Sequence, residues 1–296
     1  MSSGLNNSVL KTLIYADIFG YPLKSNEVHR YLIKKKATLA AVAKSLTELT
    51  KEKIIVKSRD YYCLKGREKS VYFREKRKYC SGIKKLKALK FCRLLFMLPF
   101  VKLIGITGTL SMENADDGDD IDVFIITSKN FIWTTRFFSV IFLKLFGLYR
   151  NPGTSDIRNK FCLNMFIDEG NLELINGEKD LFSAHEIAQM KPLFQRNNIY
   201  REFISINSWI KSFLPNFSPL YQFMDNNHKK LKGGVSDVNF LEVFFKTIQL
   251  TYMKRKITNE VIKDGYLRFH PLDLRPKILD EYYKKIKMLN IAKIPS

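Results

Sequence analysis

The sequence predicts an α+β fold in three parts, and three observations carry that expectation. Within the first 65 residues, three helical stripes of apolar residues precede two short β-prone runs. The middle of the chain holds three apolar strings of β-formers, at 101–107, 123–127 and 160–167. From about residue 180 onward, apolar residues recur at helical spacing. The expected boundaries are 1–80 for the helices, hairpin and a basic linker, 81–178 for a mixed sheet flanked by helices, and 179–296 for a helical domain.

The first helix is expected over 8–19, where Leu10, Leu13, Ile14 and Ile18 share one stripe, and it stops at Gly20-Tyr21-Pro22. Ser25 is the expected N-cap of a second helix carrying Val28, Tyr31 and Leu32. Thr38 caps a third, with Leu39, Val42, Leu46 and Leu49 at helical spacing. Residues 54–56, a turn at 57–60 and residues 61–64 complete a short hairpin. Three helices followed by a hairpin read as a winged helix. The polar face of its third helix holds Lys44, Ser45, Thr47, Glu48 and Lys51, without the Arg, Asn or Gln that reads base edges bidentately. Protein contacts or nonspecific phosphate contacts fit that face better than sequence-specific DNA reading.

Residues 67–90 are densely basic, with Tyr72, Phe73 and Tyr79 interleaved among the charges. The expectation is a linker and a solvated helix face whose aromatics pack inward; the alternative is a surface that stacks bases while gripping phosphates. The helix runs to about 97, stops before Pro99, and delivers the strand at 101–107.

Gly108-Thr109 follows that strand, and Asp120-Ile121-Asp122 opens the next. Side chains alternate along a strand, so Asp120 and Asp122 share one face while Ile121 and Val123 enter a core. Two adjacent carboxylates repel, and a divalent cation with a preference for hard oxygen ligands, such as Mg²⁺, resolves the conflict. The Gly-Thr turn offers N–H groups and a hydroxyl to a phosphate. A mere acidic loop from Asp116 to Asp120, capping the strand, is the simpler alternative.

The apolar segment 131–146 contains Arg136 and Lys144 and falls short of the ~20 residues that a membrane span needs. A helix packed on the sheet is expected. Arg136, buried there, needs an anionic partner: the carboxylates, a triphosphate or a structural ion pair. In the strand at 160–167 the one polar interior position is Asn164, which is expected to face the site. Asn offers a carbonyl ligand but no base. Asp168 has the same parity, yet it lies four residues on, ~13 Å along a strand. Asp156 sits in a loop. His185-Glu186 lacks a second His at Gln189, which excludes the HExxH zinc-protease pattern. Lys191, close behind, is a candidate phosphate contact. Helices are expected at 184–191, 200–213, 239–254 and 276–289.

Net charge is +21 over 296 residues, and the excess of Lys and Arg is concentrated in the first hundred. That block suggests a polyanionic partner such as nucleic acid, or simply a lysine-rich composition. The 4 cysteines are widely spaced without a CxxC pair, fitting neither a zinc site nor a disulfide framework. With a polar N-terminus lacking a signal-peptide core, the expected location is the cytoplasm.

The stretch from Gly108 to Val123, GTLSMENADDGDDIDV, resembles the signature of the DNA polymerase beta-like nucleotidyltransferase superfamily. That signature is an apolar strand, Gly-Gly or Gly-Ser, about a dozen residues, then Asp-x-Asp opening the next strand. The spacing matches the minimal and aminoglycoside-type branches. Thr109 stands where Ser is usual, Met112 and Glu113 where Arg-Gly is frequent, and Asp119 where Ser precedes the first Asp. The segments YADIFGYPL, WTTRFF, FCLNMFI, DLFSAHEIAQMKPLF and NSWIKSFLPN extend the similarity, over about 10–220, to uncharacterised bacterial nucleotidyltransferase-domain proteins.

The resemblance implies transfer of a nucleoside monophosphate from an NTP such as ATP to an acceptor hydroxyl. It implies Mg²⁺ or Mn²⁺ on Asp120 and Asp122, phosphates on Gly108 and Thr109, and Asn164 where the superfamily has a third carboxylate. Arg136 and Lys191 are the further candidate nucleotide contacts. Two alternatives stand beside it: a nucleotide- or nucleic-acid-binding regulatory protein with weakened catalysis, using its basic N-terminal region, and an antitoxin-like adenylyltransferase with a protein acceptor.

Overall fold

The computed structural model describes residues 2–219, 240–253, 260–269 and 273–289. Over these the chain is a mixed α+β fold with two sheets.

The N-terminal unit runs α1 (Ser2–Ile18), β1 (Leu23–Lys24), α2 (Ser25–Arg30), α3 (Leu39–Lys51), β2 (Ile55–Ser58) and β3 (Tyr61–Leu64). Its three strands pair antiparallel in the order β1-β3-β2. Gly20, at φ 56°, ends α1, and Thr38 caps α3 by accepting from Ala41 N–H at 3.2 Å. Ser25 is not a cap: Lys24 precedes α2, and its N–H donates to the Glu27 carboxylate at 2.8 Å. Ser45 is buried rather than on the outer face of α3, donating to Asn6 Oδ1 at 2.5 Å. The hairpin turn is tighter than expected, at Arg59-Asp60, with Arg59 at φ 54°.

The basic stretch forms one long helix, α4 (Lys69–Leu95). Its inner face buries Val71, Arg74, Ser81, Lys84, Ala88, Cys92 and Leu95. Arg74 pairs with Glu27 at 2.6 Å and stacks 3.9 Å from the Tyr21 ring, so its buried charge is matched. The outward face corrects the expectation of inward aromatics: Tyr72, Phe73 and Tyr79 are 68%, 48% and 74% exposed. The inner positions are already taken by the residues that hold α4 to the body.

The central sheet comprises β4 (Val101–Ile106), β5 (Ile121–Thr127), β6 (Phe161–Asp168), β7 (Lys191–Gln195), β8 (Val261–Lys263) and β9 (Tyr266–Arg268). Their order is β7-β4-β5-β6-β9-β8, with β5 and β6 parallel and every other pair antiparallel. The helices are α5 (Gly108–Ser111), α6 (Ile132–Leu145), α7 (Leu181–Gln189), α8 (Ile199–Ile206), α9 (Phe240–Met253) and α10 (Arg275–Met288).

The segment from 179, expected to be mainly helical, also supplies three short strands of the central sheet, β7, β8 and β9. Lys191 begins a strand instead of ending a helix, and Pro192 is tolerated because β7 is an edge strand. β8 and β9 are joined by Asp264-Gly265, with Gly265 at φ 74°, a two-residue hairpin turn. No helix among the described residues is long and apolar enough to cross a membrane.

The sheet separates two cores. One face packs Ile104, Ile106, Val123 and Ile125 against α4, α6 and α9. The other packs Leu103, Phe124 and Ile126 into a core that continues through α7, α8 and α10 into α1–α3. Tyr15 meets Tyr282 edge-on, and Lys285 pairs with Asp17 at 2.8 Å. The sequence boundaries at 80 and 178 therefore do not separate independent cores. Alternation along β5 puts Asp120 and Asp122 on the same side as Phe124, toward α1, α7 and α10.

Candidate functional site

The site begins where β4 leaves the sheet. Thr107 N–H still donates to Asp122 C=O at 3.1 Å, and Gly108 then turns with φ 59°. A Cβ on Gly108 would stand 2.5 Å from Asp122 Oδ2, so both the backbone conformation and the contact require glycine. Thr109 is not free for a phosphate in this arrangement: its hydroxyl donates to Asp119 Oδ2 at 3.1 Å.

The acidic loop that follows is held from α4. Lys84 Nζ donates to Asp117 C=O at 2.9 Å, to Asp119 C=O at 2.7 Å and to Asn159 Oδ1 at 2.9 Å. Asp116 pairs with Arg77 at 2.9 Å, Asp117 with Arg158 at 2.8 Å, and Asp119 accepts from Asp116 N–H at 2.9 Å. Those three acids are engaged in building the loop. Asp120 and Asp122 point elsewhere, into a cavity of about 530 Å³ between the sheet and the helices α1, α7 and α10. That volume suits a small-molecule ligand.

Asp120 is paired with Arg150 at 2.5 Å. Asp122 accepts from Asn164 Nδ2 at 3.0 Å. Burial, then the charges of Asp120 and Glu186, push the Asp122 carboxyl up to about 8, while Arg150 opposes them. Asp122 and Glu186 are half-buried, and both line the cavity.

On the neighbouring strand, Cys162 pairs in register with Asp122. Its sulfur lies within 4.8 Å of both carboxylates. Asn164 occupies a β-bulge: Val123 pairs with Leu163 but Phe124 with Met165. Asn164 lines the cavity, as expected, with 4% exposure and no hydrogen-bond partner for Oδ1 among the described residues.

Asn164 lines the same cavity as the two carboxylates, and a buried carbonyl oxygen without a partner among the described residues is the kind of donor a hard cation takes. The oxygen donors Asp120, Asp122 and Asn164 fit Mg²⁺ or Mn²⁺. Cys162 does not: burial and both carboxylates hold its thiol well above the usual range, and sulfur is a soft ligand.

Other expected residues lie apart. Arg136 donates to Gln249 Oε1 at 2.6 Å and sits 4.5 Å from the Phe269 ring centre, away from the cavity lining. It meets neither carboxylate, because α6 packs on the opposite sheet face. Lys191 is 3.9 Å from Glu113 and does not line the cavity. Asp168, at the far end of β6, accepts from Gly170 N–H and Asn171 Nδ2, both at 2.9 Å, and so caps a turn. Asp156 is exposed beside Lys160 at 3.7 Å.

Three site residues escape the sequence reading. Cys162 shares parity with Asn164, and that signal is enough to find it. Arg150 lies in an irregular loop with no local signal. Glu186 comes from α7, which packs against α5 just after Gly108. Beside it, His185 stacks on Tyr15 at 3.9 Å, and burial lowers it to about 4, leaving it neutral. Its Nδ1 lies 2.9 Å from Leu181 C=O, and since a carbonyl only accepts, Nδ1 carries the hydrogen.

Comparison with the sequence profiles of known families, with curated proteins and with solved structures returns no match for this chain.

Proposed function

We propose that this chain is a metal-dependent nucleotidyltransferase, moving a nucleoside monophosphate from an NTP to an acceptor hydroxyl and releasing pyrophosphate. The observation that carries the reading is that Asp120, Asp122 and Asn164, whose carbonyl oxygen has no partner among the described residues, line one large cavity. The N-terminal unit, with its β1-β3-β2 sheet, is read as a winged helix. The central strands are read as a nucleotidyltransferase core.

Asp120, Asp122 and Asn164 would hold the Mg²⁺ or Mn²⁺, which supplies charge neutralisation at the attacking and leaving oxygens. Gly108 lets the backbone approach Asp122 closely, and the N–H groups of the turn it makes would meet a phosphate. Arg150, part-exposed on Asp120, supplies positive charge that can turn toward a triphosphate. The aromatic wall formed by Tyr15, Phe19 and Tyr31 provides an apolar, stacking surface for a base or acceptor.

The test is incubation of the full chain with α-labelled NTPs and Mg²⁺ or Mn²⁺. Label transfer or pyrophosphate release that disappears in Asp120→Ala and in Asp122→Ala is expected. No product and no nucleotide-dependent stabilisation would refute the reading.

A second reading is favoured by a separate observation. Tyr72, Phe73 and Tyr79 are exposed on a lysine-rich helix, the arrangement by which single strands are stacked and gripped. It is a regulatory protein that binds nucleic acid and turns over little nucleotide. Salt-sensitive binding of single-stranded RNA, lost in a Tyr72→Ala/Tyr79→Ala variant with unchanged thermal stability, is its signature. The full chain is the proper reagent, since α1–α3 share a core with α7 and α10. An antitoxin-like transfer to a partner protein is a form of the first reading with a protein acceptor.

A further inference from the structure

We propose that Glu186, on α7, takes the proton of the acceptor hydroxyl, the role for which β6 offers no carboxylate beside Asp122. The inference rests on the nucleotidyl-transfer reading of Asp120 and Asp122.

The strand beside Asp122 presents Cys162 and Asn164. A protonated thiol and a neutral amide cannot accept the proton at neutral pH. Asp168, the acid on that strand, caps a turn at its far end. The cavity's remaining acids are Glu178, Asp273 and Glu186. Glu178 is paired with Arg268 at 2.8 Å, and Asp273 with Arg275 at 2.9 Å. Glu186 differs from both. Its carboxylate has no hydrogen-bond or ion-pair partner among the described residues, although it faces the same cavity as Asp122.

A carboxylate left unpaired inside a protein costs stability, and such groups cluster at sites that use them. The position is also suitable. α7 packs on α5, the turn after Gly108, and on α10, so Glu186 approaches the carboxylates from the helical wall opposite the sheet. An acceptor in the cavity then lies between the metal-binding face and Glu186.

The groups around it set its behaviour. Asp122 on β5 and Tyr15 on α1 lie within electrostatic reach, and neighbouring His185 is neutral. Burial raises the Glu186 carboxyl to about 7, matching its proton affinity to neutral pH.

In the step, the acceptor O–H proton moves to a Glu186 carboxylate oxygen. The acceptor oxygen's lone pair forms the bond to the α-phosphorus. The bond from that phosphorus to the bridging oxygen breaks, and its electron pair leaves with pyrophosphate. Glu186 then returns the proton to water.

The test uses the full chain, ATP and Mg²⁺, with a short oligoribonucleotide, a free sugar and water offered as acceptors, and pyrophosphate release as the readout. Glu186→Gln is expected to lose about 10²-fold or more of the rate, the usual contribution of a general base. It should keep the thermal stabilisation by ATP and Mg²⁺. Glu186→Asp, which retains the carboxylate, should recover part of the rate. At Mg²⁺ concentrations that keep Asp122 ionised, wild-type rate should rise with pH through about 7, and the Glu186→Gln variant should lose that rise.

A Glu186→Gln variant as fast as wild type overturns the role of Glu186 and leaves the metal-site reading standing. Parallel loss of ATP-dependent stabilisation and rate assigns Glu186 a structural role and also overturns it. A wild-type chain that releases no pyrophosphate overturns the nucleotidyl-transfer reading, and this inference with it.

Discussion

Replacing Asp122 with asparagine should stabilise the metal-free protein while destroying its site. The folded carboxyl holds its proton up to about pH 8, whereas an unperturbed carboxyl releases it near 3.8. The unfolded chain therefore binds fewer protons between those values, and stability falls as pH rises from about 4, levelling above about 8. At about 1.4 kcal/mol for each pH unit, the full effect at pH 7 is about 4 kcal/mol. Water entering the cavity screens the charge, and about half of that is the expected gain. The side-chain carbonyl that Asp122→Asn introduces can still accept from the Asn164 amide, so the 3.0 Å hydrogen bond is kept and the charge is what changes. With a melting-temperature change of ~2 °C per kcal/mol for a chain of this size, Asp122→Asn should melt ~4 °C above wild type at pH 7. The difference should vanish at pH 4. Differential scanning calorimetry in chelator measures both. Added Mg²⁺ should then stabilise wild type and leave the variant unchanged. A variant no more stable at pH 7 than at pH 4, relative to wild type, would refute the argument that Asp122 is a strained, partly desolvated acid.

Three other outcomes follow from the same geometry. Gly108→Ala places a methyl group against Asp122 at positive φ; it should cost ~1–3 kcal/mol in urea unfolding and abolish Mg²⁺-dependent stabilisation. Lys84→Met removes the ammonium that ties Asp117, Asp119 and Asn159 together. It should cost ~2–4 kcal/mol and raise amide exchange across 115–120, as measured by mass spectrometry. Asp168→Ala should lower stability by ~1–2 kcal/mol through the lost turn cap, yet leave Mg²⁺-dependent stabilisation intact; loss of both would place Asp168 in the site after all.

Local reading reaches far where local physics is sufficient. The stripe of Leu13, Ile14 and Val42 finds α1 and α3, and the parity of Asp120 and Asp122 gives their shared face before any fold is known. The same parity brings out Asn164, and the bulge at its position is invisible until β5 and β6 are paired. Arg136 shows the limit. Its burial is legible in the sequence, but which sheet face α6 covers decides its partner, and that face is not Asp122's. The basic helix shows another: periodicity identifies α4, while only the packing of Arg74 and Lys84 reveals which side is inward.

Short strands are harder still. β8 and β9 have three residues each, and Asp264-Gly265 is the one strong local sign of their hairpin. Their place beside β6 depends on pairing across about a hundred residues of chain.

By itself the sequence determined the strand–Gly108–Asp-Ile-Asp block, the three helices and hairpin, and the absence of an obvious base on the partner strand. These follow from side-chain periodicity and turn chemistry, which act over a few residues. Only the tertiary structure decided that α1, α7 and α10 close a cavity over those carboxylates, that Arg150 balances Asp120, and that Glu186 faces the same cavity without a partner among the described residues. Those relations depend on contacts between segments far apart in the chain, which local periodicity does not encode.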